Sequence, residues 1–311
     1  MPDLCLWNRC NNNCIMCTNP VGFRNKEDSK EYSSEKIIAR VKSRIKEVRK
    51  SGDNINLTGG EPTIHPDFLK LLRWFRKNFP RNKLVIATNG RMLCYQEFAR
   101  ECSKISNLTF EIALHGFDSK SHDSITQVKG SFEQTVKGIE NVLRYKNSSQ
   151  DLEIRIIVIK QNYRNLDRIL NFIKNNFPSV SDVVLVFEEI EGIGQKNFEI
   201  VGITYNEARE YIARACKNWA KQFRDFRLYH FPLCTLSPHL WKYIWRTLGP
   251  KEVTFLPSCN RCLYKKYCLG IHRGYLRTVG SEEFKPIRKK MEIKIREDFF
   301  HPIKEVKTID S

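Results

Sequence analysis

The sequence predicts an α/β protein built on a parallel sheet, and three observations carry that expectation. Six short apolar runs of strand length recur through the first two thirds of the chain. Longer stretches with apolar residues at helical spacing lie between them, the alternation that parallel sheets require. Turn-forming pairs such as Gly59-Gly60 and Asn89-Gly90 close the runs. Right-handed crossovers between such strands curl the sheet into a barrel or part of one.

The strand-like runs are Leu4 to Trp7, Ile55 to Leu57, Leu84 to Ala87, Leu108 to Leu114, Ile154 to Ile159 and Val183 to Phe187. The first helical stretch, Ser34 to Lys50, spaces Ile37, Ile38, Val41, Ile45 and Val48 along one face, and Asp67 to Asn78, Tyr95 to Ser103, Ser131 to Tyr145 and Asn165 to Asn176 follow. After about residue 200 the alternation stops. Asn206 to Phe223 reads as a further helix, and beyond it come Trp241, Trp245 and a group of cysteines. The expected organisation is a core over residues 1–200, a cysteine-rich extension over 201–284 and a basic tail over 285–311.

With 311 residues, 41% hydrophobic and 28% charged, the chain can bury a sizeable core. No apolar run approaches the ~20 residues of a membrane span, and the start MPDLCLWNRC lacks the pattern of a signal peptide, so a cytoplasmic protein is expected. In a reducing compartment eleven cysteines are explained by metal binding better than by disulfides. The net charge of +18 points to an acidic partner or RNA, although the 53 basic residues are dispersed and accompanied by 35 acidic ones.

Cys10, Cys14 and Cys17 form a C-x3-C-x2-C array directly after the first strand, at the strand end where parallel barrels gather reactive groups. Three thiolates can hold three irons of a cubane cluster and leave the fourth iron open. Zinc fits poorly, because zinc sites pair their ligands in two knuckles and His65, the nearest histidine, is far along the chain. The array resembles the hallmark of the radical S-adenosylmethionine (radical SAM) superfamily. That resemblance implies a partial (β/α)6 barrel and a [4Fe-4S] cluster whose open iron is chelated by SAM. It also implies an external electron donor of flavodoxin or ferredoxin type, and reductive cleavage of SAM to a 5'-deoxyadenosyl radical that takes hydrogen from a substrate.

The run LTGGEPT, with Gly59, Gly60, Glu61 and Pro62, follows the second strand and looks like the superfamily's GGE motif, which holds the amino group of SAM. Glycines there let backbone carbonyls approach a ligand, and a carboxylate or carbonyl can receive an amino group. Asn89, in the turn Thr88-Asn89-Gly90, either lines the cofactor pocket or serves the turn alone. Arg155 shares a strand face with Ile157 and Ile159 and pairs either with the SAM carboxylate or with Glu153 or Glu188. Met16 stands where the family places an apolar side chain against adenine.

Cys259, Cys262 and Cys268 form a second group, C-x2-C-x5-C, a spacing shared by zinc knuckles and iron-sulfur sites. Behind a radical SAM core it resembles the SPASM and twitch extensions, which carry auxiliary [4Fe-4S] clusters, and Cys234 is the best fourth ligand. Cys5, Cys94, Cys102 and Cys216 read as small buried hydrophobes, with Cys216 the first candidate for another role. The runs HDSITQVKGSFEQTVKGIENV and IRIIVIKQNYRNL, together with the C-terminal cysteines, look similar to HxsC-like peptide maturases. This implies a ribosomally made peptide as substrate, cross-linked or dehydrogenated oxidatively. The alternative is modification of tRNA or another nucleic-acid-related substrate, which the charge and the aromatic-basic runs WKYIWR and RCLYKKY favour. A non-enzymatic iron-sulfur carrier is hard to reconcile with an open-iron motif.

Overall fold

The computed structural model describes residues 3–24 and 27–307. Eight strands form one sheet in chain order: β1 (Leu4–Trp7), β2 (Ile55–Gly59), β3 (Leu84–Thr88), β4 (Leu108–Ala113), β5 (Gln150–Val158), β6 (Asp182–Phe187), β7 (Asp225–Tyr229) and β8 (Ile244–Trp245). Spatial order equal to sequence order is what right-handed crossovers between parallel strands produce. The expected α/β class holds, with two strands more than the six read from the sequence.

Helices α1 (Ser34–Lys42), α2 (Ile45–Ser51), α3 (Phe68–Asn78), α4 (Gln96–Ser103), α5 (Ser119–Thr126), α6 (Ser131–Tyr145) and α7 (Leu166–Asn176) fill the connections. The single helix expected over Ser34 to Lys50 is broken at Ser43, whose hydroxyl donates back to the Arg40 carbonyl at 2.7 Å and competes with the helical ladder. The α5 helix escaped the periodic reading because SKSHDSIT holds one aliphatic residue. It is nucleated instead by Asp118, which accepts from the Ser121 amide at 2.7 Å.

By internal contacts the chain divides into two compact units. The first comprises the chain up to Cys14, Asn19–Arg155 and Ile173–Asp182. In it Leu57, Ile86, Phe110 and Leu152 stand level across neighbouring strands and are buried, as are Phe68, Leu71, Leu72 and Phe75 of α3. Period-two alternation therefore puts Ala87, Glu111 and Glu153, also in register, on the opposite face. The HDSITQVKGSF run is structural: Asp123 accepts from Ser131 Oγ at 2.7 Å and from the Gly130 and Phe132 amides at 2.7 and 2.9 Å, clamping the start of α6.

The second unit comprises Ile15–Thr18, Ile156–Phe172 and the chain from Val183. It adds α8 (Gly192–Lys196), α9 (Phe198–Val201), α10 (Tyr205–Trp219), α11 (Arg273–Thr278), a small β9 (Val253–Thr254) and β10 (Ile271–His272) pair, and a β11 (Glu292–Ile295) and β12 (Ile303–Lys307) hairpin. Ile157 and Trp245 pack against Val184, Val186 and Tyr229. An aromatic core joins Phe187, Tyr205 and Tyr275, with ring centroids 3.9 and 4.7 Å apart along the chain of contacts.

The alternation thus runs past residue 200, where the extension was expected to begin, as far as β8. The expected basic tail is a docked hairpin over residues 292–307: His301 stacks on Trp245 at 4.6 Å, and the Arg246 amide donates to the Phe300 carbonyl at 2.7 Å. Residues 308–311 of that tail lie outside the described residues. Among the described residues no helix is long and apolar enough to cross a membrane.

His115, after β4, and His122 of α5 are buried and stacked 5.8 Å apart, with the His115 amide donating to His122 Nδ1 at 3.2 Å. Burial pushes both imidazoles down, to about 3 and about 4. Because the unfolded chain then binds more protons than the folded one below an ordinary histidine pKa of about 6.5, stability is full above that pH and falls as pH drops toward 3. Urea unfolding between pH 7.5 and 4.5 should show this loss, and His122→Asn should flatten it. An unchanged slope in the variant would remove the pair from the account.

Candidate active site

The cysteine loop leaves β1 and is held by its neighbour in the sheet. The Gly60 amide donates to the Trp7 carbonyl at 2.7 Å and the Glu61 amide to the Arg9 carbonyl at 2.8 Å. This approach needs glycine. A Cβ on Gly59, whose φ is +137°, would lie 2.3 Å from the Trp7 oxygen, and one on Gly60 would lie 2.4 Å from the Arg9 oxygen.

Glu61 is buried, and its carboxylate is spent internally. It accepts from Thr63 N at 3.0 Å, Thr63 Oγ1 at 2.5 Å, Thr88 Oγ1 at 2.7 Å and the Asn89 amide at 2.7 Å. Burial raises its pKa while these four donors oppose the rise. The carboxylate therefore fastens the end of β2 to the end of β3. Asn89 continues the brace: its Nδ2 donates to Asn11 Oδ1 at 2.7 Å and points at Cys10 Sγ at 3.9 Å, while the Asn12 amide reaches the same sulfur at 3.3 Å.

Sequence reasoning missed two arginines and the asparagines between the cysteines. Arg91 donates to Asn12 Oδ1 at 2.8 Å, to the Asn11 carbonyl and to Gln134 Oε1 at 2.6 Å. Arg24 donates to the Asn12 carbonyl at 2.8 Å and Asn13 Oδ1 at 3.1 Å. The signal was there in the run NRCNNNC, since asparagines supply the local hydrogen bonds that hold irregular backbone. Cys10 and Cys14 belong to this first unit.

Met16 and Cys17 belong to the second unit, where the segment after β6 holds them. The Gly194 amide donates to the Cys17 carbonyl at 2.9 Å, and Asn197 Nδ2 donates to the Ile15 carbonyl at 2.8 Å. Met16 is buried, as an apolar contact residue would be. Glu188, directly after β6, is only 3% exposed, and neither carboxylate oxygen has a hydrogen-bond partner. A Cβ on Gly194 would meet both Glu188 Oε1 and the Met16 carbonyl at 3.1 Å, so this carboxyl stands beside the cysteine loop. Burial pushes it up to about 8. A buried carboxyl without partners calls for a ligand.

The C-terminal cysteines converge. Cys234, Cys259, Cys262 and Cys268 line one cavity with Phe255, Phe284 and Ile287. The Leu233 and Gly270 amides donate to Cys268 Sγ at 3.5 and 3.4 Å. Burial, together with the other three cysteines, pushes the Cys234 thiol up to about 12. Among the described residues no three of these sulfurs lie within 4.8 Å of one another.

The model of the family described as the radical SAM superfamily matches residues 4–173, more than half of the chain. The chain belongs to the radical SAM superfamily. It is therefore an enzyme, and membership implies a [4Fe-4S] cluster and SAM as its cofactors. A protein named Probable GTP 3',8-cyclase from Sulfurisphaera tokodaii is 25% identical over 83% of this chain and 79% of its own length. Mycofactocin maturase MftC from Mycolicibacterium smegmatis is 29% identical over 51% of this chain and 37% of its own. The crystal structure of Streptococcus suis SuiB bound to precursor peptide SuiA shares the fold with a TM-score of 0.55 and 17% identity, covering 73% of this chain and 48% of that one. The match thus spans about half the length of SuiB.

The chemistry of the donors fits the superfamily's cofactors. Three cysteines stand on one loop, amide donors point at Cys10 Sγ, and the Gly59 carbonyl at the end of β2 accepts from Asn19 Nδ2 at 3.1 Å, so backbone acceptors there are within reach of polar donors. Arg155 pairs with Glu153 at 2.6 Å, one of the two partners the sequence offered for an ion pair, and with Glu111 at 2.5 Å, which the sequence did not suggest. Of the other cysteines, Cys102 and Cys216 are buried and burial raises their thiols, as for small hydrophobes.

Gly60→Ala should force β2 and the cysteine loop apart, with about 1–3 kcal/mol of overpacking cost. After anaerobic reconstitution the folded variant should hold less iron at the first site and cleave SAM more slowly. Native iron content and cleavage would show that the close approach is dispensable.

Proposed function

We propose that this radical SAM enzyme oxidises a ribosomally made peptide by two electrons, using a second [4Fe-4S] cluster in a twitch-like region. The convergence of Cys234, Cys259, Cys262 and Cys268 on one cavity carries the reading. A cubane gives each of four such thiolates its own iron.

In this reading Cys10, Cys14 and Cys17 hold the first cluster, and Gly59, Gly60 and Pro62 shape the seat of the SAM amino group, with Glu61 bracing it. Met16 faces adenine, and Asn89 orients the cysteine loop. Bound there, cluster and SAM supply a primary carbon radical able to remove a hydrogen atom from the substrate. The Glu188 carboxyl, held near pKa 8 and so largely protonated at pH 7, offers the bound reactants a donor and an acceptor. Arg155 is assigned to its ion pair with Glu111 and Glu153. Full cysteine ligation gives the second site no open iron, which suits it to accept the second electron. MftC, a maturase, and SuiB, seen with a precursor peptide, support a peptide substrate, and the +18 charge suits an acidic leader.

A nucleotide or nucleic-acid substrate is the second reading, favoured by the alignment with the GTP 3',8-cyclase-named relative, which extends over 83% of the chain. Salt-sensitive binding cannot separate the two, since both substrates are anionic. Product mass can. A co-expressed precursor peptide should become lighter by about two hydrogens. An unchanged peptide beside a modified nucleotide or nucleoside would replace this reading with the second.

Iron analysis tests the cluster assignment separately. With Cys10, Cys14 and Cys17 all replaced by alanine, 5'-deoxyadenosine release should cease while about four irons per chain remain. One zinc in their place would make the C-terminal cysteines a structural knuckle.

A further inference from the structure

Glu189, Glu191 and His272 bring three donor atoms within 4.8 Å of one another. The two glutamates stand on the segment leaving β6, and His272 ends β10 just before α11. The first turn of α11 presses on that segment: a Cβ on Gly274 would lie 2.2 Å from the Ile190 carbonyl. The imidazole is thereby enclosed, with His272 only 3% exposed.

Neither ring nitrogen of His272 completes a hydrogen bond, although Nε2 lies 3.3 Å from Glu191 Oε1. Buried polar atoms are rarely left so, and two carboxylates gathered at one point repel unless a cation lies between them. Ligands 2.0–2.2 Å from an ion, as for zinc, sit at most about 4.4 Å apart, so these donors need to close by little. Burial also keeps His272 neutral, the form that ligates. On the far side, His230 Nδ1 lies 3.4 Å from Glu189 Oε1 and 3.1 Å from the Phe187 carbonyl, where it can orient that carboxylate.

We propose that Glu189, Glu191 and His272 bind one divalent first-row transition ion. Oxygen and imidazole donors without thiolate suit Mn2+, Fe2+ or Zn2+ and not an iron-sulfur cluster. Three protein ligands leave open positions for water or an oxygen atom of another ligand, and the ion fastens the β6 segment to β10 and α11. The site uses no cysteine and does not rest on the substrate reading.

Holoenzyme reconstituted anaerobically and freed of loose metal by chelation should be titrated with MnCl2, with free Mn2+ followed by electron paramagnetic resonance. The first equivalent should be missing from the free signal and return when Zn2+ is added, as zinc binds such donors more tightly. Glu191→Gln, at a partly exposed position, should weaken binding at least about tenfold, and His272→Gln should abolish it. Free signal rising from the first addition to the native holoenzyme would overturn the site, as would native affinity in Glu191→Gln. Should His272→Gln fail to fold, the glutamate variant decides.

Discussion

The approach of β2 to the start of the cysteine loop is the constraint on which the first half of the site depends. Two backbone hydrogen bonds, from Gly60 to Trp7 and from Glu61 to Arg9, fix the loop on the strand beside it, and no side chain fits between them. The glycines therefore do two things. They remove the Cβ atoms that would hold the strands apart, and they leave the backbone at the strand end open to close approach, as Asn19 Nδ2 shows by donating to the Gly59 carbonyl at 3.1 Å. Everything carried by the loop, from Cys10 to the asparagines around it, inherits its position from this contact.

Glu61 shows how a motif can be legible while its physical role is not. The pattern GGEP at the second strand end was readable and led to an expected ligand for an amino group. The four donors around the carboxylate come from Thr63, Thr88 and Asn89, and the last two arrive only when β3 is laid beside β2. No spacing rule places them there. The same holds for Arg155, whose partner Glu111 lies on the neighbouring strand 44 positions earlier and becomes adjacent through sheet register.

Strands β1 to β6 were legible because buried parallel strands read as aliphatic runs, and their chemistry follows at the C-terminal ends. Strand β7 reads DFRLY and β8 has two residues, too polar and too short to declare themselves without neighbours. The tail hairpin was hidden likewise: Lys and Glu alternate through it, and its docking contacts, such as His301 on Trp245 and on the Lys242 carbonyl, arise only in the fold. Glu188 was visible in the sequence only as a candidate partner for Arg155. Its isolation and burial come from the packing of the β6 segment against α8.

In the proposed reading the C-terminal cysteines link metal to fold. Four thiols face one cavity lined by Phe255, Phe284 and Ile287, and burial together with mutual repulsion keeps Cys234 protonated far above neutral pH. In the proposed reading a cation entering the cavity takes the place of the Cys234 proton, so binding iron there would release at least that proton. The apolar lining that makes an ionised Cys234 costly would also shield a metal held there from water. The short 3-10 turns and two-residue strands around the cavity contribute little stability of their own. On the proposal of a second cluster the order of this region would depend on it, whereas the sheet of the first unit rests on its aliphatic core.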